Sequence, residues 1–405
     1  MTHGGRPEQL KPSITGKAAL TIAQCREIHR LAVAGRESTI ARDAGGRLAE
    51  ALLRRSRFAE VAALANATLS LGKDADAFYH LGRSLASTGQ SREALAKFQQ
   101  AWDSHREAGN HAGEASALSG IGLTYNRIGD HRRALMYYEQ SLRITREIGD
   151  LAGEATVLQN IGLAHKDLGD LRQALAYYEQ AYSITQKEGD RAREATILSN
   201  IGAAYGGLGD QQKSLGYLHQ SLPIRRQVGD RAGEAATLHN IGAAYDNLGD
   251  WQQALAHYHE ALLIYRDVGD RPGEAAALHG VGLAQNQLGD QQGAMTYYEQ
   301  ALAIAREFEA RTIEATTLSD IGQIRFGRGD LAGAKQAIDE ALKIVRVIGD
   351  RSLEAVLEFN LAALFTHMER RDDAVKTLCR AISLAEQTEH PALADMREFL
   401  VRIQQ

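Results

Sequence analysis

The chain has 405 residues, 44% of them apolar and 24% charged, with only 5 prolines, a composition that predicts a folded, helix-rich protein. A formal charge of −5 provides no basic field to draw it onto nucleic acid or anionic lipid, so neither is expected as a partner. The 39 glycines conflict with helix unless they occupy special positions, because an interior glycine costs roughly 1 kcal/mol relative to alanine.

Met1–Lys17 is polar, carries Pro7 and Pro12, and has no apolar core of a secretory signal. No stretch approaches the roughly 20 apolar residues that span a bilayer, and the expected location is cytoplasmic. Lys11 to Ala18 looks superficially like a phosphate loop, but it lacks the leading glycine and the final Ser or Thr. Residues 14–40 are expected to be helical without fitting a repeat, so 1–42 reads as a polar segment and an N-terminal capping helix. Cys25 and Cys379 lie near opposite ends, outside any CxxC or Cys/His cluster, and are expected to be reduced thiols.

Residues 43–110 hold two shorter units. The first, 43–76, is degenerate, with Leu48, Ala51 and Leu52 on one helix and Phe58, Val61 and Ala62 on the next. The second, 77–110, runs through Phe78, Tyr79, Leu81 and Gly82 to Ala94 and Phe98.

From residue 111 a strict period takes over. Gly-Asp recurs every twenty residues from Gly129-Asp130 to Gly289-Asp290, is lost at Glu309-Ala310, and returns at Gly329-Asp330 and Gly349-Asp350. Alternate segments resemble one another most, so the unit is forty residues with two helices, A and B, repeated seven times over 111–390. Glycine can end a helix in the left-handed conformation, and the aspartate can cap the first turn of the next. Gln173 and Gln253, three residues after Asp170 and Asp250, allow a capping box. A second glycine ladder runs inside helix A at Gly122, Gly162, Gly202, Gly242, Gly282 and Gly322. Its expected role is to admit the large residue of helix B, which is Tyr138, Tyr178, Leu218, Tyr258, Tyr298 and Ile338 in turn. Residues 391–405 read as a C-terminal capping helix that starts near Pro391 and packs Leu400 and Ile403 inward.

The pattern Leu-x-x-(Ile/Val)-Gly-x-x-Tyr followed by Ala-x-x-x-Tyr-x-x-Ala, as in Leu238, Ile241, Gly242, Tyr245, Ala254, Tyr258 and Ala261, resembles the tetratricopeptide repeat. The forty-residue form is similar to spindle adaptors of the LGN/Pins type, to kinesin light chains and to bacterial repeat regulators, and the resemblance covers about 43–390. It departs from the family in lacking the proline near the end of helix B, where the Gly-Asp turn takes over as the stop. The implied fold is all-α, a right-handed α-solenoid of about nine helix hairpins with terminal capping helices.

The resemblance also implies that one side of helix A lines a concave surface that binds a protein or an extended peptide. Ahead of the Ile/Val-Gly pair stand Asn160, Asn200, Asn240 and Asn360, with Gly120, Gly280 and Asp320 at the other rungs. An asparagine amide donates and accepts at once, so it can hold a peptide backbone, although it could instead bridge neighbouring helices. Gln159, His239 and His279 precede the ladder, and Asn126, Lys166, Asp246 and Asn286 lie one turn beyond it, where they are expected to set specificity. Phe326 and Phe359 could anchor a partner or pack against the cap helix.

No HExxH, GxSxG or calcium-loop motif is present, and His257 and His259 point to different sides of helix B, so no enzyme activity, cofactor or metal is expected. The function expected is a peptide-binding scaffold or adaptor, with self-association through the array ends as a further option. The alternative is the ligand-sensing half of a bacterial signalling ATPase or transcription regulator.

Overall fold

In the computed structural model residues 21–388 and 390–404 are described; the sequence readings placed on 1–20 lie outside them. The described residues form twenty α-helices and no strand. The chain makes two compact units, 1–184 and 185–405. The sequence period runs through this boundary without a break, so the division was not readable from it.

The first unit holds α1 (Ile22–Ala34), α2 (Ser38–Leu53), α3 (Phe58–Leu69), α4 (Ala75–Ser87), α5 (Ser91–Glu107), α6 (His111–Arg127), α7 (His131–Ile148), α8 (Leu151–Asp167) and most of α9 (Leu171–Glu188). The second holds α10 (Arg191–Gly207), α11 (Gln211–Val228), α12 (Arg231–Asn247), α13 (Trp251–Val268), α14 (Arg271–Gln287), α15 (Gln291–Glu307), α16 (Arg311–Gly327), α17 (Leu331–Ile348), α18 (Arg351–His367), α19 (Arg371–Gln387) and α20 (Leu393–Gln404). Packing is most extensive within the A/B hairpins, such as α6 with α7, α12 with α13 and α16 with α17. Within each unit the A helices also touch one another, as α6 does α8, α12 does α14 and α14 does α16. This is the stacked helix-pair arrangement of a solenoid, in which a single hairpin cannot bury its own apolar face. At the amino-terminal end α2 begins at Ser38, earlier than the unit start at 43, after a turn in which Arg36 takes a left-handed φ of 58°. At the other end Met396 is fully buried, with Phe399, Leu400 and Ile403 packed around the same cluster.

The punctuation acts through local geometry. Gly269 ends α13 at φ 73°, and the Asp270 side chain accepts a 3.0 Å hydrogen bond from the Gly273 N–H in the first turn of α14. The reciprocal half of a capping box is absent at Asp250: its carboxylate takes the Gln253 N–H at 3.2 Å, but the Gln253 side chain does not return to the cap. Where Gly-Asp is lost the turn survives. Glu309 adopts the left-handed conformation at φ 53°, and Ala310 N–H still closes onto the Ala305 carbonyl at 2.8 Å. Backbone bonding and packing therefore override a conformational preference on the order of 1–2 kcal/mol.

A feature not recognised in sequence ties α11 to α12, α13 to α14 and α15 to α16. Glu234, Glu274 and Glu314 are buried, and each carboxylate is held by two arginines. Glu234 takes Arg226 Nε and Arg231 Nη1, both at 2.7 Å. Glu314 takes Arg306 Nε at 3.2 Å and Arg311 Nη1 at 3.0 Å. Glu274 is held in the same way by Arg266 and Arg271. Burying a carboxylate is costly unless it is paired and hydrogen-bonded, and the two guanidinium groups meet both conditions.

Candidate functional site

The candidate residues all stand on A helices. In the first unit Gln159, Asn160 and Lys166 are half-buried on α8. Asn126, expected to contact ligand, is instead buried and fully engaged. Its amide nitrogen donates to Asp167 Oδ2 at 3.0 Å, and its oxygen meets His131 Nδ1 at 2.8 Å. Lys166 Nζ lies 3.8 Å from Asp167 Oδ1. Asn126 is therefore a structural bridge between α6 and α8, a correction to its placement on the binding surface.

In the second unit Asn200 on α10 and Asn240 on α12 occupy equivalent, half-buried positions. Neither amide, nor that of Asn160 in the first unit, makes a hydrogen bond among the described residues. The bridging role considered for these asparagines is thus not observed, and their amides are free to pair with something else. The ladder stops at Gly280 because a ring fills the space: a Cβ there would fall 2.7 Å from the Tyr258 ring. Asn360 differs again, since its amide nitrogen is enclosed without a partner. Asn286 is half-buried, with no side-chain bond among the described residues.

The rung before the ladder lies in the seam between A helices rather than on open surface. Ser199 is buried and bonds Ser221 and Thr237, each at 2.9 Å. The His239 ring sits 5.2 Å from that of Tyr258, and its Nδ1 is enclosed without a partner. The His279 ring lies 5.6 Å from that of Tyr298, and its Nε2 meets Asp320 Oδ2 at 2.7 Å. Phe326 packs edge-on against His367 at 4.8 Å, and Phe359 edge-on against Phe399 of α20 at 5.7 Å. Of the two readings of these half-buried rings, Phe359 takes the packing against the cap helix, while Phe326 packs on α18 instead.

Burial governs the titration of this seam. It pushes His239 down to about 4, with neighbouring His279 adding to the effect. It raises Asp246, where Asp320 acts in the same direction and His279 opposes it. It also raises Tyr258 and Tyr298, reinforced by Asp246 for the first and by Asp320 and Asp246 for the second. A pH prediction follows for His239. Between its ordinary 6.5 and about 4 the unfolded chain takes up a proton that the folded chain refuses. Stability from this residue is therefore complete above 6.5 and declines as the pH falls toward 4, by roughly 3 kcal/mol in all. Asp246 works with the opposite sign, because a raised carboxyl favours the folded state on acidification. Urea unfolding of the wild type and of His239→Gln across this range is expected to show the steeper acid loss in the wild type; parallel profiles would contradict it.

Chemically the face offers amide donors and acceptors and paired carboxylates. Among the described residues no group of three His, Cys, Asp or Glu side chains could hold a metal ion. No helix there is long and apolar enough to cross a membrane.

Comparison with known proteins agrees with this architecture. The family model described as tetratricopeptide repeat matches residues 73–147, 153–227, 233–307 and 313–387. Among solved structures, a Rap protein complexed with competence and sporulation factor is 16% identical, with a TM-score of 0.59 over 90% of this chain and 97% of that one. The apo quorum sensor NprR from B. thuringiensis is 15% identical, with a TM-score of 0.59 over 84% of this chain and 98% of that one. A signal transduction ATPase with numerous domains and a tetratricopeptide repeat sensor, from Pyrococcus horikoshii, is 15% identical, with a TM-score of 0.61 over 89% of this chain and 55% of that one. At such identities these likenesses concern the fold alone. Among curated proteins none matches the sequence.

Proposed function

Because the chain belongs to the tetratricopeptide repeat family, we propose that it binds a protein or an extended peptide on the A-helix face, as a scaffold or as the sensing part of a larger regulator. The observation that carries this reading is the pair of free amides on Asn200 and Asn240, at equivalent positions of two neighbouring A helices. Each can donate to a peptide carbonyl and accept from a peptide N–H, which suits a ligand whose backbone is extended. Ala203 and Ala243, which follow the ladder, leave room beside the amides for ligand side chains. The Rap protein solved with competence and sporulation factor illustrates that this architecture can hold a bound factor.

The test is a peptide selected from a random library on the full chain. Four hydrogen bonds at about 0.5–1.5 kcal/mol each give an expected loss of tenfold or more in the Asn200→Ala, Asn240→Ala double variant. The urea midpoint is expected to stay nearly constant, since neither amide is engaged within the protein. Equal affinity in the two proteins would reject the reading.

A further inference from the structure

We propose that Asp246, Asp320 and Tyr298 form an anionic socket for the side-chain cation of a lysine or arginine in the bound peptide. The inference rests on the peptide-binding reading above and names the residue class that the second unit selects.

The socket begins with a charge imbalance. Asp246 on α12 and Asp320 on α16 flank the seam, with His279 of α14 near both. No lysine or arginine occurs in 236–247, 276–287 or 316–324, the segments of these three helices that carry the face. Arg325, next along α16, turns toward α17 and donates to the Gly333 carbonyl at 3.2 Å. Among the described residues the cation that meets these carboxylates is His279, which engages Asp320 and lies near Asp246. His239, held down to about 4, is neutral near pH 7. Two carboxylates thus face at most one positive charge.

The second observation is independent of that count. The Tyr298 side chain is fully buried, yet its hydroxyl has no hydrogen-bond partner. Burial first, and then the nearby charges of Asp320 and Asp246, raise its titration, which sets the hydroxyl beside both carboxylates. Asp246 Oδ1 is likewise enclosed and unpartnered. Leaving such groups unpaired is unfavourable, and more so when the group is charged. The Tyr298 hydroxyl and Asp246 Oδ1 are themselves enclosed, whereas the neighbouring His279 and Asp320 are partly exposed. The side chains of His279 and Asp320 are 21% and 22% exposed, so the cluster can be entered.

A cation fits this arrangement. Ammonium and guanidinium groups carry several N–H donors and no acceptor, matching the acceptors Asp246 Oδ1 and the Tyr298 oxygen. A metal ion fits poorly, since no three ligating side chains converge among the described residues. The first unit provides an internal comparison. There Asp167 is served by the chain itself, through the Asn126 amide at 3.0 Å and Lys166 Nζ at 3.8 Å. Asp246 stands on the rung of Asn126 and Lys166, so a carboxylate takes the place of those donors there; the hydroxyls of Tyr138 and Tyr178 near Asp167 are also unpartnered.

The experiment selects random peptides on the full chain, then synthesises the best binders with acetylated amino termini, so that only side chains can supply the cation. The expected result is a shared lysine or arginine whose replacement by norleucine or citrulline weakens binding to the wild type by at least about tenfold. On Asp246→Asn, Asp320→Asn the same replacement is expected to change affinity less than about twofold. Tyr298→Phe, which keeps the ring, is the second variant and is expected to reduce the discrimination between basic and neutral peptides. Binders without a basic residue, or an undiminished preference in both variants, would overturn the socket. Their continued dependence on Asn200 and Asn240 would leave the peptide-binding reading standing. Recovery of no peptide at all would remove both.

Discussion

Replacing Tyr258 with alanine is expected to lower the unfolding free energy of the 185–405 unit by about 3–5 kcal/mol. The ring is buried at 3% exposure and passes between two A helices. A Cβ on Gly242 would fall 2.9 Å from it, and one on Gly280 only 2.7 Å. Both flanks are therefore glycine backbone, and neither carries a side chain that can swing into the space left behind. A cavity that its surroundings cannot fill places the loss toward the top of the range. Urea unfolding followed by circular dichroism provides the measurement; a loss below about 1 kcal/mol would put the ring outside the core.

Gly282→Val is the second substitution of large effect, with an expected loss of about 3 kcal/mol. A Cβ at this position would meet the Tyr298 ring at 2.7 Å and the Ala294 carbonyl at 3.2 Å. Tyr298 is fully buried, so the ring cannot turn away without displacing its neighbours. Valine would recover part of the roughly 1 kcal/mol by which glycine weakens a helix interior, too little to offset overpacking against a fixed ring. Thermal unfolding of the variant beside wild type checks the sign. A variant as stable as the wild type would mean that the helices can separate at this crossing without cost.

These two substitutions probe what was most legible in the sequence. Gly-Asp turns and the small-against-large ladder follow from local rules, namely a left-handed stop, an aspartate cap and a ring opposite a missing Cβ, so residue types at fixed spacing suffice to read them. The fold class and the packing of Tyr258 and Tyr298 belong to this part. The candidate site was less legible, because its geometry depends on partners a whole repeat away. Asn126 matched the ladder chemistry, but its amide is taken by Asp167. His279 is taken by Asp320 in the same manner. Phe359 has the exposure pattern of an anchor until α20 brings Phe399 onto it. The Arg and Glu residues that join successive repeats were visible as an Arg-x-x-Glu motif at Arg231 and Glu234. The second arginine, Arg226, comes from the preceding helix, and only the fold brings it to the same carboxylate.

The most direct measurement of the central claim is site-specific photo-cross-linking of a selected peptide to the full chain. A benzoylphenylalanine at Ala243, beside the Asn240 amide on α12, is predicted to capture the peptide. The same probe at Leu263 on α13, which is exposed on a B helix, is predicted to capture none. Capture at Leu263 and not at Ala243 would contradict binding on the A-helix face.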